Sequence, residues 1–388
     1  MKLGFVSARG THCDQDGMWF DAGVGRLIDC LRARSEQFTC ALAHHPARRP
    51  EFDHMSPIPE ADLVKLPVLP GFARGFHKFP DCRRAIREVE SRSDVVIVQL
   101  PFIAPFGLLG ARKPRVYHAF GDVLNMARVS SAYSGLSRGV AMSMAHLVDG
   151  MQRSFCRRPD AALVSNGKEI FDRYVPGRGR VVVSSTFLAS EIGSVQRSRP
   201  QAAPFRILFV GYLRPEKGVD TLLAAYRLLL DQIPDAELHI VGPDVAEKRN
   251  ANLNIVAAFD ALRGRGNVKF LGHKAFGPAL FECYANADVL VLPSRSEGTP
   301  RVLVEARAFG CPVVASNVGG IPSSVEDGVD GILIEPDDAP ALAAAIERTA
   351  RDAALKGKLI EEGFTRARNT SVESFANALF QEAEGLVA

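Results

Sequence analysis

Two glutamates and two cations are the residues best placed to do chemistry. Glu297 stands in DVLVLPSRSEGTPRVLVEARAFGCPVVASNVGGIP, residues 288–322, and Glu305 follows it with seven residues between them. Arg214 and Lys217 stand in RILFVGYLRPEKG, residues 206–218, and Lys217 precedes Glu297 by 80 residues. Two cations in a loop before a helix N-terminus suit a diphosphate, since side-chain charge and free first-turn amides both attract anions. Carboxylates near such a site repel phosphate and suit hydroxyls instead. A ligand with both phosphates and many hydroxyls is a nucleotide sugar. Each cue alone favours a solvated surface, and it is their combination that points to this ligand.

The elements that must hold these residues are legible around them. Val289 to Leu292 is a short apolar run ended by Pro293 and Ser294, the pattern of a strand buried on both faces. Thr299 and Pro300 read as N-cap and first helical residue. Val302, Leu303, Ala306 and Phe309 keep helical spacing until Gly310 and Pro312 stop the helix. Val313 to Ser316 is a second buried strand, closed by Gly319-Gly320-Ile321-Pro322. Upstream, Ile207 to Val210 is a strand, and a helix begins at about Val219 with Leu222, Leu223, Tyr226, Leu229 and Leu230 on one face. In parallel sheets ligands gather where strands end and helices begin.

These stretches resemble family 4 of the retaining, nucleotide-sugar-dependent glycosyltransferases. VGYLRPEKG is similar to that family's V-G-R-L-x-P-E-K-G loop, and residues 267–322 to its Glu-x7-Glu block. GVDGILIEPDD resembles the segment that follows, so the likeness spans roughly residues 205–340. Where the family has Arg directly after the loop glycine, this chain has Tyr212, and Arg214 is the substitute two positions later. The resemblance implies two Rossmann-like α/β domains facing across a cleft (GT-B), with a last helix crossing back to the first domain. It implies a donor site of Gly211, Gly272, His273, Glu297, Gly298, Thr299, Pro300, Arg301 and Glu305. The catalytic group it implies is His118, Arg214, Lys217 and Glu297. His118 ends a strand at Arg115–His118, where the family has a His facing the donor sugar as a partner for a hydroxyl.

The expected domains are 1–195 on the acceptor side, a linker at 196–204, a nucleotide-sugar domain at 205–370 and a helix at 371–388. The linker reading rests on the polar, Pro-rich SVQRSRPQAAP. MKLGFVSA reads as a first strand, followed by a loop from Arg9 to Phe20 and then Ala22-Gly23-Val24-Gly25 opening a helix. This is not a dinucleotide fingerprint, because the G-x-G-x-x-G spacing is absent. It is similar to the family's Gly-Gly-Val turn, which would bring Gly23 near the donor phosphate or the acceptor; a plain turn is an equal reading. Residues 123–158 read as helical, and SSTFLAS receives no role.

With 388 residues, 47% hydrophobic and 23% charged, the composition is that of an ordinary globular protein. The net charge of +3 hides a division. Residues 1–200 hold 28 Lys and Arg against 19 Asp and Glu, and the remainder holds 19 against 25. A basic first half suggests an anionic partner there. Lys65, Arg74, His77, Lys78, Arg83, Arg84, Arg87 and Arg92 alternate with apolar residues in 62–92. That segment is either a solvated face or a surface for an anionic membrane or a lipid-linked acceptor. Nucleic acid is not expected, since the cations are dispersed without interleaved stacking aromatics.

Seven scattered cysteines without C-x-x-C read as reduced thiols and predict no zinc site. No signal peptide or transmembrane helix is expected, which gives a cytoplasmic protein able to act at the inner membrane face. The expected reaction moves a sugar from a nucleotide diphosphate sugar to an acceptor hydroxyl with retained configuration. It needs no cofactor and no metal, because the protein cations serve the leaving group and no Asp-x-Asp stands in a suitable loop. The alternatives are a non-hydrolysing nucleotide-sugar epimerase and a catalytically silent nucleotide-sugar-binding scaffold.

Overall fold

The computed structural model describes residues 1–388 except 16, 50–51, 70–77, 103, 111, 130–133, 175, 201 and 243–266. The chain divides into two compact units, Met1–Thr186 with Val372–Ala388 and Phe187–Ser371. Each is built on its own largely parallel sheet.

In the first unit β1 (Lys2–Asp14) and β2 (Gly17–Phe20) form an antiparallel hairpin, then α1 (Ala22–Arg32), β3 (Gln37–His44), β4 (His54–Ser56) and β5 (Leu63–Leu66) follow. Next come α2 (Phe79–Ser91), β6 (Val95–Leu100), β7 (Arg115–Ala119), α3 (Val123–Val129), α4 (Gly135–Cys156), β8 (Ala161–Asn166), α5 (Lys168–Tyr174) and β9 (Gly179–Val182). Parallel pairing runs from β1 outward through β3 to β5, and on its other side through β6, β7 and β8 to β9. The order therefore reverses between β1 and β6. Val6, Val96, Val98, Leu100, Tyr117 and Leu163 bury their side chains in the core between these strands and α2. This is why the central strands read as unbroken apolar runs.

Three expectations change here. Arg9–Phe20 is not a loop, because β1 continues to Asp14 and pairs Thr11 with Phe20. Its polar residues fit an extension that leaves the core for an antiparallel edge. In 62–92, Phe72, Arg74, Phe76 and His77 lie outside the described residues. The rest forms β5 and α2, whose buried face is Cys82, Ala85, Ile86, Val89 and Glu90. Its cations are largely matched by acids: Lys65 with Glu60, Arg84 with Asp81, Arg87 with Glu90 and Arg92 with Glu88. The helical region 123–158 is two helices, α3 and α4.

The second unit contains β10 (Arg206–Val210), α6 (Val219–Leu230), β11 (Glu237–Val241), β12 (Asn267–Phe270), α7 (Pro278–Ala285) and β13 (Val289–Leu292). It continues with α8 (Arg301–Ala308), β14 (Val313–Ser316), α9 (Ile321–Ser324), β15 (Ile332–Ile334), α10 (Ala339–Arg351) and α11 (Ala353–Arg368). Its order, β12-β11-β10-β13-β14-β15, reverses between β10 and β13. Helix α6 buries Val219, Leu222, Leu223, Tyr226 and Leu229 against the sheet, the face its periodicity predicts.

The stretch 196–204 is not a free linker. Arg197 and Arg199 bind the buried carboxylate of Asp288 at 2.8 and 3.1 Å, and Lys356 joins them at 2.8 Å. Burial opposes ionisation of Asp288, but hydrogen bonds from Arg197 and Lys356 prevail and lower it to about 2. The first unit closes with α12 (Val372–Val387), which returns from the second and packs on α1 and on β6, β7 and β8. Arg178 and Arg180 of the first unit hold Glu382 of that helix at 3.2 and 2.7 Å. Among the described residues no helix is long and apolar enough to cross a membrane.

Candidate functional site

The site grows from the reversal point of the second sheet. The loops after β10 and β13 leave neighbouring strands in opposite directions, and the space between them is where open α/β sheets take ligands. The β10 loop ends in a turn at Pro215–Lys217 and then Gly218, whose φ is +62°. A Cβ on Gly218 would lie 1.8 Å from the Pro293 carbonyl oxygen, so only glycine lets the two loops meet. The amide of Arg295 donates to the Glu216 carbonyl at 2.8 Å and ties them together.

Across that contact, Lys217 Nζ donates to Glu297 Oε1 at 2.6 Å. Ser294 Oγ donates to the same oxygen at 2.7 Å. Glu297 is nearly buried at 8% exposure and Lys217 keeps 23%. An ammonium and a carboxylate thus sit side by side with the cation toward solvent, able to meet a phosphate and a hydroxyl respectively. The glycine pair after β14 supports them from below. A Cβ on Gly319, at φ +53°, would stand 2.0 Å from the Glu297 carbonyl oxygen.

Arg295 holds the frame. Its Nε binds Asp337 at 2.7 Å, Nη2 binds Asp220 at 2.7 Å, and Nη1 donates to the Pro215 carbonyl. One guanidinium therefore fixes the loops after β10 and β15 and the first turn of α6. The hydrogen bond and charge of Arg295 draw Asp220 below its ordinary range despite partial burial.

The other expected residues stand in several places. Helix α8 starts at Arg301 with Pro300, not Thr299, in the N-cap place and no side-chain cap. Pro300 stays extended at ψ 118°, so the helical turn begins one residue late. Gly298 and Thr299 lie in the loop beside Glu297, and Arg301 is exposed at the helix start. Glu305 is buried on α8 and accepts a hydrogen bond from Tyr284 at 2.8 Å. Burial and the Glu305 charge keep that phenol protonated well above its usual range. Gly211 and Gly272 follow the ends of β10 and β12, and His273 is exposed next to Gly272. Arg214 lies outside the Lys217–Glu297 pair. Its guanidinium, 58% exposed, is 3.7 Å from Glu216 and 4.8 Å from the Tyr212 ring centre.

His118 and Gly23 belong to the first unit. His118 does not stand open at a strand end: it is 3% exposed, with Phe375 of α12 at 4.6 Å and Phe120 at 5.8 Å between ring centres. Burial first, and then the charge of Arg9, lowers it to about 3, so it stays neutral. The Gly23 amide, expected near a phosphate or the acceptor, donates to the Asp21 carboxylate at 3.0 Å, as does Val24 at 3.2 Å. Asp21 caps α1 and occupies those amides itself.

Sequence reasoning missed Ser294, Arg295, Gly319 and Gly320. The signal was present in PSRSEG and NVGGIP, but polar residues and glycines after a strand read first as simple strand ends.

Residues 194–366 match the family model described as glycosyl transferases group 1. The D-inositol 3-phosphate glycosyltransferase of Streptomyces griseus is 38% identical over 148 residues, 37% of this chain and 31% of that protein. The chain's matches span from about a third to just over half the length of its curated relatives, 31% to 56%. Among solved structures, sucrose-phosphate synthase from Thermosynechococcus elongatus aligns over 99% of this chain and 98% of its own. The TM-score is 0.68 at 20% identity. HepE of Anabaena, solved with UDP-glucose, aligns over 99% and 100% with the same score at 19% identity. The fold is that of the GT-B glycosyltransferases, and residues 194–366 are similar to the glycosyl transferases group 1 family.

Proposed function

We propose that the chain transfers a sugar from a nucleotide diphosphate sugar to an acceptor hydroxyl with retained anomeric configuration, in the synthesis of a surface glycan, polysaccharide or glycolipid. The observation that carries this is the Lys217–Glu297 pair at the reversal point of the second sheet, backed by Ser294. A diphosphate would draw Lys217 from Glu297. Ser294 would keep the carboxylate in place to accept a sugar hydroxyl. As the glycosidic bond breaks, the sugar becomes oxocarbenium-like and charge grows on the departing phosphate, where Lys217 stabilises it electrostatically. Glu305, held by Tyr284, suits a hydroxyl of the nucleotide. A metal is not required in this reading, since the ammonium supplies the charge; turnover surviving EDTA supports it, and loss restored by magnesium or manganese overturns it.

The acceptor is proposed to be anionic, a reading supported by the basic excess of residues 1–200. The matched cations of α2 and its neighbours weaken a membrane surface at that helix specifically.

The deciding experiment is thermal stabilisation by a panel of nucleotide sugars. A ligand at 100 times its Kd adds about 2.7 kcal/mol, which is readily seen. The shift should vanish in Lys217→Ala. A wild-type protein indifferent to every nucleotide sugar would refute the proposal, and products formed without acceptor would favour epimerisation instead.

A further inference from the structure

Helix α4 is apolar on two faces. Toward the core of the first unit it buries Ala141, Ala145, Val148, Phe155 and Cys156, and Val123 and Ala127 of α3 pack against it. Leu136, Val140 and Leu147 fall on the far side, within roughly 40° of one another about the helix axis at 3.6 residues per turn. They are 94%, 55% and 46% exposed, and Met126 of α3 is 46% exposed. Residues 134–140 are exposed on every side, so the first turns of α4 stand clear of the core. A surface helix ordinarily turns polar residues away from the core. A contiguous apolar stripe there marks a face that something apolar covers.

The charge around the stripe selects what covers it. From Val123 to Val148 the sequence has no Asp or Glu, while Arg128 and Arg138 are exposed. The acids that bracket this segment are already engaged. Asp122 is held by Arg173 at 2.8 and 3.1 Å. Asp149 is 2% exposed and is held by Arg173 at 3.0 Å and by Arg153. A second copy docked on the same face would gather the arginines of both chains with no acid to meet them. An anionic bilayer meets both features, with acyl chains for the stripe and phosphates for the arginines. Among the described residues no helix is long and apolar enough to cross a membrane, so α4 would lie in the bilayer surface.

We infer that the outer face of α4, together with Met126 of α3, is a docking surface for an anionic lipid bilayer, entered by Leu136, Val140 and Leu147 and held by Arg128 and Arg138. This surface lies wholly within the first unit and does not rest on the transferase reading. It also differs from α2, whose cations Arg84, Arg87 and Arg92 are matched by acids.

The test is co-sedimentation of the full chain with vesicles of equimolar phosphatidylcholine and phosphatidylglycerol, beside vesicles of phosphatidylcholine alone. Binding should favour the anionic vesicles and weaken as salt rises. Leu136→Ser with Val140→Ser changes exposed positions only, so the urea midpoint should hold while vesicle affinity falls roughly tenfold or more. Arg128→Gln with Arg138→Gln should erase the preference for anionic vesicles. Arg83→Gln with Arg84→Gln, on α2, should leave binding as it is. In Leu136→Trp, brominated acyl chains in the anionic vesicles should quench an added emission that the wild type, with Trp19 alone, does not show. No binding to the anionic vesicles, or equal binding by the serine variant, overturns the proposal. So does loss of binding in the α2 variant alone. A wild-type dimer in sedimentation velocity that the serine variant dissolves, without vesicle binding by either, would show that the stripe serves a second copy instead.

Discussion

The two sheets reverse their strand order in the same way and fill the reversal point with opposite chemistry. In the second unit it holds ions: Lys217, Glu297 and Arg295, partly exposed and drawn from loops. In the first unit it holds a neutral chain, Ser7, Gln99 and His118, buried within the strands themselves. A loop can place charge because solvent still reaches it, whereas a buried strand position tolerates only neutral groups that satisfy one another. Topology sets where a site can form, and burial sets what kind of group can work there.

The largest effect should come from the charged reversal point. Lys217→Ala removes the cation assigned to the leaving group and leaves Glu297 without its partner. We expect kcat/KM to fall by about 2.7–4 kcal/mol equivalent, a factor of order 10²–10³, as when one charge-stabilising donor is lost. Steady-state kinetics with the donor found by thermal shift would check it. Near-normal turnover would remove the contrast between the two sites.

The neutral reversal point should reveal itself in acid. His118 is lowered from 6.5 to about 3 in the folded chain. A depressed folded value means that the unfolded chain takes the proton first, so stability is complete above pH 6.5. It is lost as pH falls toward 3, by about 1.4 kcal/mol per unit. Asp288 is lowered from 3.8 to about 2, so its contribution fades only between those values. Urea unfolding from pH 7 to 4 should show wild type losing ground against His118→Gln from about pH 6.5 downward. The gap between wild type and Asp288→Asn should stay constant down to about pH 4. A His118 gap independent of pH would mean that the ring is not held neutral by burial.

How far the sequence disclosed this depended on the range of the interaction. The loop–helix–strand units around Lys217 and Glu297 were legible because apolar runs, Gly310 and Pro312 punctuate them locally. Helix α6 was legible to the residue at its start. By contrast, nothing local marks Gln99, since its partners Ser7 and His118 lie 92 and 19 residues away. The hairpin of β1 and β2 was lost because an edge strand need not be apolar. Asp288 stands just before the apolar run Val289–Leu292, and nothing local shows that Arg197, Arg199 and Lys356 converge on it. Arg295 was hidden for the same reason, as its partners Asp220 and Asp337 come from other loops. Arg295→Ala should loosen the loop that carries Lys217 and reduce kcat/KM about tenfold, or ~1.4 kcal/mol, by misplacement alone. Arg295→Lys should recover only part of it, because an ammonium cannot meet three divergent acceptors as a guanidinium does. Kinetics indistinguishable from wild type in both variants would show that the loops hold Lys217 without this strut.

The smallest effect sharpens the charged side of the comparison by asking which of its two loop cations matters. Arg214 and Lys217 are three residues apart and carry equal charge, yet their surroundings differ. Lys217 points at Glu297 over 2.6 Å and is largely covered. Arg214 is 58% exposed, 3.7 Å from Glu216, and rests over Tyr212, itself 46% exposed. Solvent screens such a pair, and exposed pairs contribute about 0–1 kcal/mol. Its reach toward a diphosphate is held back by the same Glu216 and Tyr212. Arg214→Ala should therefore lower kcat/KM by less than about tenfold, with fold stability unchanged within about 0.5 kcal/mol. Tyr212→Arg restores a cation directly after Gly211 and should make Arg214→Ala almost silent in the double variant. If Arg214→Ala instead equals Lys217→Ala, the diphosphate lies nearer the exposed end of the loop than the Lys217–Glu297 pair implies.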